Sequence, residues 1–116
     1  MSDFPTTAYK VLTADQMRDL EADAFGGAPI DVADGYIHLS TTAQLTETVD
    51  KHFAGQSDLW VAAIDLDALG DSVRWEESRG GQLFPHIYGR MPLAMVTAYS
   101  PLERDGDGQV KLPVAG

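Results

Sequence analysis

The sequence contains no cysteine. That excludes disulfides, thiolate nucleophiles and cysteine-ligated metals, and it leans towards a reducing, cytoplasmic setting. Histidine is scarce too. The three present show no HExxH spacing, so no metal is expected, although His38 and His86 with Glu76 have suitable ligand types. Positive charge is short: Lys plus Arg number 8 against 18 Asp plus Glu, a net charge of −10. A surface this acidic repels phosphate backbones and anionic membranes, so neither nucleic acid nor membrane is expected as a partner. No apolar run approaches the roughly 20 residues of a membrane helix. The opening MSDFPTTAYK lacks the basic and apolar regions of a signal peptide. There is no GxSxG elbow, Walker loop or GxGxxG turn. The DGDG at 105–108 has no glutamate to close a calcium loop.

What is present suits one globular domain. The chain has 116 residues, 44% hydrophobic and 22% charged. A single domain over 1–116 is expected, with a core of about 8–101 and a loosely ordered tail from 102 to 116. A monomer with a small-molecule ligand is the favoured state.

Tyr9 to Leu12 reads as a first strand. Thr13 opens a helix with Gln16 in the capping-box position, and Met17, Leu20 and Ala24 form its apolar stripe. Gly26 and Gly27 are expected to stop it. Residues 28–35 read as a loop. Tyr36 to Ser40 reads as a second strand, with Ile37 and Leu39 facing one way and Tyr36, His38 and Ser40 the other. Thr41 caps a second helix that carries Leu45, Val49, His52 and Phe53 on one face and ends at Gly55. Leu59 to Ile64 reads as a central strand covered on both faces. A turn over 65–71 leads to a strand over Ser72 to Glu76, then a Gly-Gly loop. Met91 to Tyr99 reads as the last strand. The order predicts an α+β fold with a mixed or antiparallel sheet and two helices in the N-terminal half.

One stretch is dense in costly residues: Arg74 to Gly89, RWEESRGGQLFPHIYG. Arg74 and Glu76 share a strand face. Arg74 has the planar fork that grips an anion, and Glu76 is suited to stabilise a developing cation. A plain cross-strand ion pair accounts for them equally well. Arg79 beside Gly80 and Gly81 can wrap a ligand, and Arg74, Arg79 and Arg90 together form a candidate anion patch. His86 and Tyr88, two residues apart, point to one side and can hydrogen-bond and stack on a planar ring. Trp75 shares the face of Val73 and reads as core, and His52 reads as structural. Upstream, His38 and Ser40 project together, with Thr41 at a helix start where free N–H groups favour an anion. Capping is the simpler role for Thr41. Candidate catalytic residues are therefore His38, Glu76 and His86. Candidate cofactor-binding residues are Ser40, Thr41, Arg74, Arg79 and Tyr88.

Four segments taken together resemble one family, the bacterial proteins grouped as domain of unknown function 952. They are YKVLTADQ at the start, DGYIHLSTTAQL at 34–45, HFAGQSDL at 52–59 and RWEESRGGQLFPHIYGRMPL at 74–93. The resemblance implies a small cytoplasmic α+β domain with an ADP-ribosyltransferase-like split sheet, and NAD in its cleft. In that wider group a histidine on an early strand, followed two residues later by a hydroxyl residue, binds the NAD ribose. His38 and Ser40 match this pattern. The stacking tyrosine and late-strand glutamate of the group have no clean counterpart, because Tyr88 follows Glu76. A non-catalytic module for a small anionic metabolite or a peptide is the alternative.

Overall fold

The computed structural model describes residues 4–113. The fold is α+β, as expected, with its strands in two three-stranded antiparallel sheets. The first holds β1 (Thr7–Thr13), β3 (Leu59–Asp65) and β6 (Val96–Pro101), with β3 in the centre. The second holds β2 (Ile37–His38), β5 (Leu83–Ile87) and β4 (Val73–Glu77), with β5 in the centre. Every strand pair is antiparallel.

The first sheet is buried on both faces, as the apolar run at 59–64 predicts. Ala8, Leu12, Ala62 and Ile64 join a cluster with Met17 and Leu20 of helix α1 (Ala14–Glu21), together with Ile37 and Ile87 of the second sheet. Tyr9, Val11, Val61 and Ala63 face the other way, onto Leu45 and Val49 of helix α3 (Thr42–His52). Both expected helix starts hold. Thr13 Oγ1 accepts from the Gln16 N–H, and Gln16 Oε1 accepts from the Thr13 N–H. At Thr41 the backbone N–H donates to Gln44 Oε1 at 3.0 Å.

The two sheets meet at a seam two residues long. His38 still pairs with His86, and the Leu39 N–H donates to the Pro85 carbonyl. Ser40 has already crossed to the first sheet, where it exchanges both backbone hydrogen bonds with Tyr9. The strand expected over 36–40 is thus shorter, because its end changes partner.

Other boundaries also differ. Helix α1 stops at Glu21 with Ala22 at its cap, so Ala24 and the glycines after it lie outside the helix. Residues expected to be a loop form helix α2 (Pro29–Asp34), with Pro29 at its first position, Asp31 in its first turn and Gly35 just past its end. Residues expected to be a turn form helix α4 (Leu66–Leu69), capped by Asp65, and a 3₁₀ turn over Gly70–Ser72. There are four α-helices among the described residues rather than two. The last strand begins at Val96, because Leu93–Met95 forms a 3₁₀ turn. Within residues 102–113 of the tail, Arg104 bridges Val110, and Val110 is buried against the α3 side of the first sheet; residues 114–116 lie outside the described residues. Asp105 Oδ1 accepts from the N–H groups of Asp107 and Gln109, closing the DGDG turn.

Candidate functional site

The register of the second sheet sorts its side chains. Ile37, Ile87 and Val73 lie in one row and join the main core. His38, His86 and Arg74 lie in the neighbouring row, so they share the opposite face. Glu76 stands two residues along β4 from Arg74, on that face. The alternation in sequence therefore brings residues nearly fifty positions apart onto one surface.

Glu76 and His86 form a carboxylate–imidazole pair. His86 Nδ1 lies 2.8 Å from Glu76 Oε1, and Tyr88 Oη donates to both Glu76 oxygens at 2.8 and 3.0 Å. A carboxylate only accepts, so the hydrogen sits on His86 Nδ1. Hydrogen bonds from His86 and Tyr88 hold the Glu76 carboxyl below its usual range, and the same contact with Glu76 pushes the Tyr88 phenol up. His86 is buried, and its Nε2 has no hydrogen-bond partner. Tyr36 lies at the centre of the group. Its ring is 4.2 Å from that of His86, 4.8 Å from His38 and 5.2 Å from Tyr88. Arg74 does not pair with Glu76. Its guanidinium lies 4.7 Å above the Tyr88 ring, a cation–π contact.

His38 is engaged on both ring nitrogens. Nδ1 lies 2.7 Å from Asp31 Oδ1 and Nε2 lies 3.1 Å from Asp34 Oδ2. Both contacts are hydrogen bonds only when both nitrogens carry hydrogen, that is, in the cationic ring. Asp31 anchors more than His38. It accepts from the backbone N–H groups of Ala28 and His38, and it pairs with the buried Lys10 ammonium at 2.8 Å. Lys10 also donates to the His38 carbonyl. Gly27 lets the chain close over this point, since a Cβ there would sit 3.0 Å from the Asp31 Cβ at a φ of +115°.

Burial pushes the Lys10 ammonium down against the pull of Asp31. For Asp31, burial opposes the charge, but the hydrogen bond from His38 and the charge of Lys10 outweigh it and hold the carboxyl at about 2, against an ordinary 3.8. The unfolded chain then binds the proton more readily. Stability from this group is complete above about pH 4 and falls as pH drops towards 2, by about 2 kcal/mol at ~1.4 kcal/mol per pH unit. Urea midpoints between pH 5 and 2 check this. The Asp31→Asn variant is expected to show a shallower loss than the parent, and an identical slope refutes it.

A cavity of about 460 Å³ opens beside these groups. His38, Ser40 and His86 stand in its wall with Lys10, Thr48 and Ser78, while Tyr9, Val11, Leu39 and Phe84 supply apolar surface. Ser40 Oγ and Thr48 Oγ1 are 2.8 Å apart, so one donates to the other. His52, expected to be structural, is also in the wall.

Of the sequence-derived candidates, His38, Ser40 and His86 reach the cavity. Arg74, Glu76 and Tyr88 share the sheet face but stand outside the cavity wall, and Thr41 serves at the start of α3. The side chain of Arg79 lies outside the described residues. Its backbone begins the Arg79–Gly81 turn, in which Gly80 and Gly81 take positive φ as that loop requires. Arg90 does not join an anion patch, because it donates to the Asp23 carbonyl at 2.7 Å. Trp75 packs on the core and stacks on Phe4. Sequence reasoning missed Lys10, Asp31, Asp34 and Tyr36. A lysine within an apolar strand was the available signal, since a buried ammonium requires a carboxylate partner. No group of three or more His, Asp or Glu suited to a metal occurs among the described residues, and none of their helices is long and apolar enough to cross a membrane.

No curated protein matches this chain. Solved structures do. The crystal structure of protein CC0527 from Caulobacter crescentus is 40% identical, covering 92% of this chain and 95% of that one, with a TM-score of 0.82. The solution structure of the same protein is 40% identical over 91% of both chains, with a TM-score of 0.76. Residues 11–99 match the family described as Protein of unknown function (DUF952). The chain belongs to that family, as its four sequence motifs predict.

Proposed function

We propose that this protein binds an NAD- or ADP-ribose-type ligand in the cavity beside His38 and His86, in keeping with an ADP-ribosyltransferase-like fold. The observation that carries the reading is the meeting of His38, Ser40 and His86 in the wall of one cavity whose surface is largely apolar. Its volume of about 460 Å³ falls in the usual range for small-molecule sites. The apolar wall suits a planar base, and the Ser40–Thr48 hydroxyl pair and His86 suit a ribose. Lys10 is fully engaged by Asp31 and the His38 carbonyl. The pyrophosphate therefore falls to the Ser78–Gly81 loop, where Arg79 follows a wall residue in sequence.

Binding without turnover is better supported than transfer. Glu76, the candidate for stabilising charge on a departing nicotinamide, is outside the wall and already accepts from His86 and Tyr88. Calorimetric titration with NAD, ADP-ribose and nicotinamide tests the proposal. Saturable heat from NAD or ADP-ribose at millimolar concentration or below is expected; heat from none of the three removes it. Nicotinamide release on incubation with NAD would restore the transferase reading.

A further inference from the structure

The two histidines of the site are not equivalent. The pattern IHLS pointed to His38 as the ribose contact, but both of its ring nitrogens face aspartates. His86 has the opposite character. Glu76 fixes the hydrogen on Nδ1, and in the neutral ring Nε2 is then a lone-pair acceptor. That nitrogen is sealed from solvent and is the buried side-chain polar atom without a hydrogen-bond partner among the described residues. An unsatisfied buried acceptor costs about 1–3 kcal/mol, and such atoms in folded proteins call for an explanation. Here the ring stands in the wall of the cavity, stacked on Tyr36 and held from the rear by a carboxylate that Tyr88 in turn orients.

We infer that His86 Nε2 accepts a hydrogen bond from a ligand hydroxyl, and that Glu76 is a positioning residue that sets the imidazole tautomer. His38 is then an organising group that ties α2 to the seam between the sheets. The inference rests on the cavity being a ribosyl site. It moves the key contact from His38 to His86 and replaces the catalytic role of Glu76 by an orienting one.

Nitrogen NMR on histidine-labelled protein, with ADP-ribose as the probe, tests it. In the neutral ring His86 is expected to show a protonated Nδ1 and an unprotonated Nε2, and ADP-ribose is expected to move the Nε2 signal. Glu76→Ala is expected to mix the two tautomers. His86→Asn keeps an amide N–H for Glu76 but has no acceptor at the Nε2 position. It is expected to weaken ADP-ribose binding about 10- to 100-fold, while His86→Gln, whose amide oxygen reaches further, recovers part of the loss. An Nε2 that carries the hydrogen, or a folded His86→Asn variant that binds as tightly as the parent, overturns the inference and leaves the cavity reading standing. Absence of ADP-ribose binding to the unaltered protein overturns both. Should His86→Asn not fold, the response of the wild-type Nε2 signal decides: a shift supports the assignment, and an unmoved signal in the bound state rejects it.

Discussion

Replacing Asp31 by alanine is expected to destabilise the protein by about 3–5 kcal/mol. The carboxylate is 2% exposed and accepts from the Lys10 ammonium, the His38 ring, and the backbone N–H groups of Ala28 and His38. Removing it leaves a buried ammonium without its counter-charge. Lys10 is 6% exposed, so its ammonium has little contact with solvent in the folded protein. Losing one partner of such a pair costs far more than replacing both. Adding Lys10→Met to the Asp31→Ala variant is therefore expected to recover a large part of the loss. Urea unfolding of the parent, the single variant and the double variant checks both statements. A single variant within about 1 kcal/mol of the parent would show that water reaches Lys10 and that the pair contributes little.

Ile87→Ala is expected to cost about 2–5 kcal/mol. Ile87 is completely buried at the end of β5, the central strand of its sheet, opposite Ile37 on one neighbour and Val73 on the other. It sits on the core-facing side of the sheet whose other face carries His86. Deleting three carbons there removes apolar burial and opens a cavity between two sheets that cannot both close over it. For a domain of this size the midpoint of thermal unfolding is expected to fall by at least about 8 °C. A shift of less than about 3 °C would mean that the second sheet is loosely attached to the first.

The face on which the site is built was legible in the sequence because strand alternation has an exact period. Ile37 and Leu39 join the main core cluster, the face that IHLS alone set opposite His38 and Ser40. The same rule placed Arg74 with Glu76 and His86 with Tyr88, while the register of β4 on β5 put the two sets on one face. The capping signals at Thr13 and Thr41 also read correctly, since they depend only on residues three apart. What was not legible depends on contacts distant in the chain. Asp31 lay in a segment read as loop, although Pro29 at a first helical position and Gly35 beyond the end were both available signals. Its pairing with Lys10 spans 21 positions and leaves no local trace beyond a charge inside an apolar strand. Nor could spacing show that His38 is tied on both nitrogens while His86 keeps one free, because the partners come from α2 and β4 respectively.

The interleaved strand order has a kinetic consequence. The second strand to emerge belongs to a different sheet from the first and third, and it cannot find its partner until residue 87 exists. The first sheet likewise needs residue 101 for its outer edge. Neither half can be completed from neighbouring segments alone, so loop-closure entropy is spent before most pairings form. Acquisition of the native state is therefore expected on the millisecond-to-second scale of domains dominated by non-local pairing, and not in the microseconds of helical bundles.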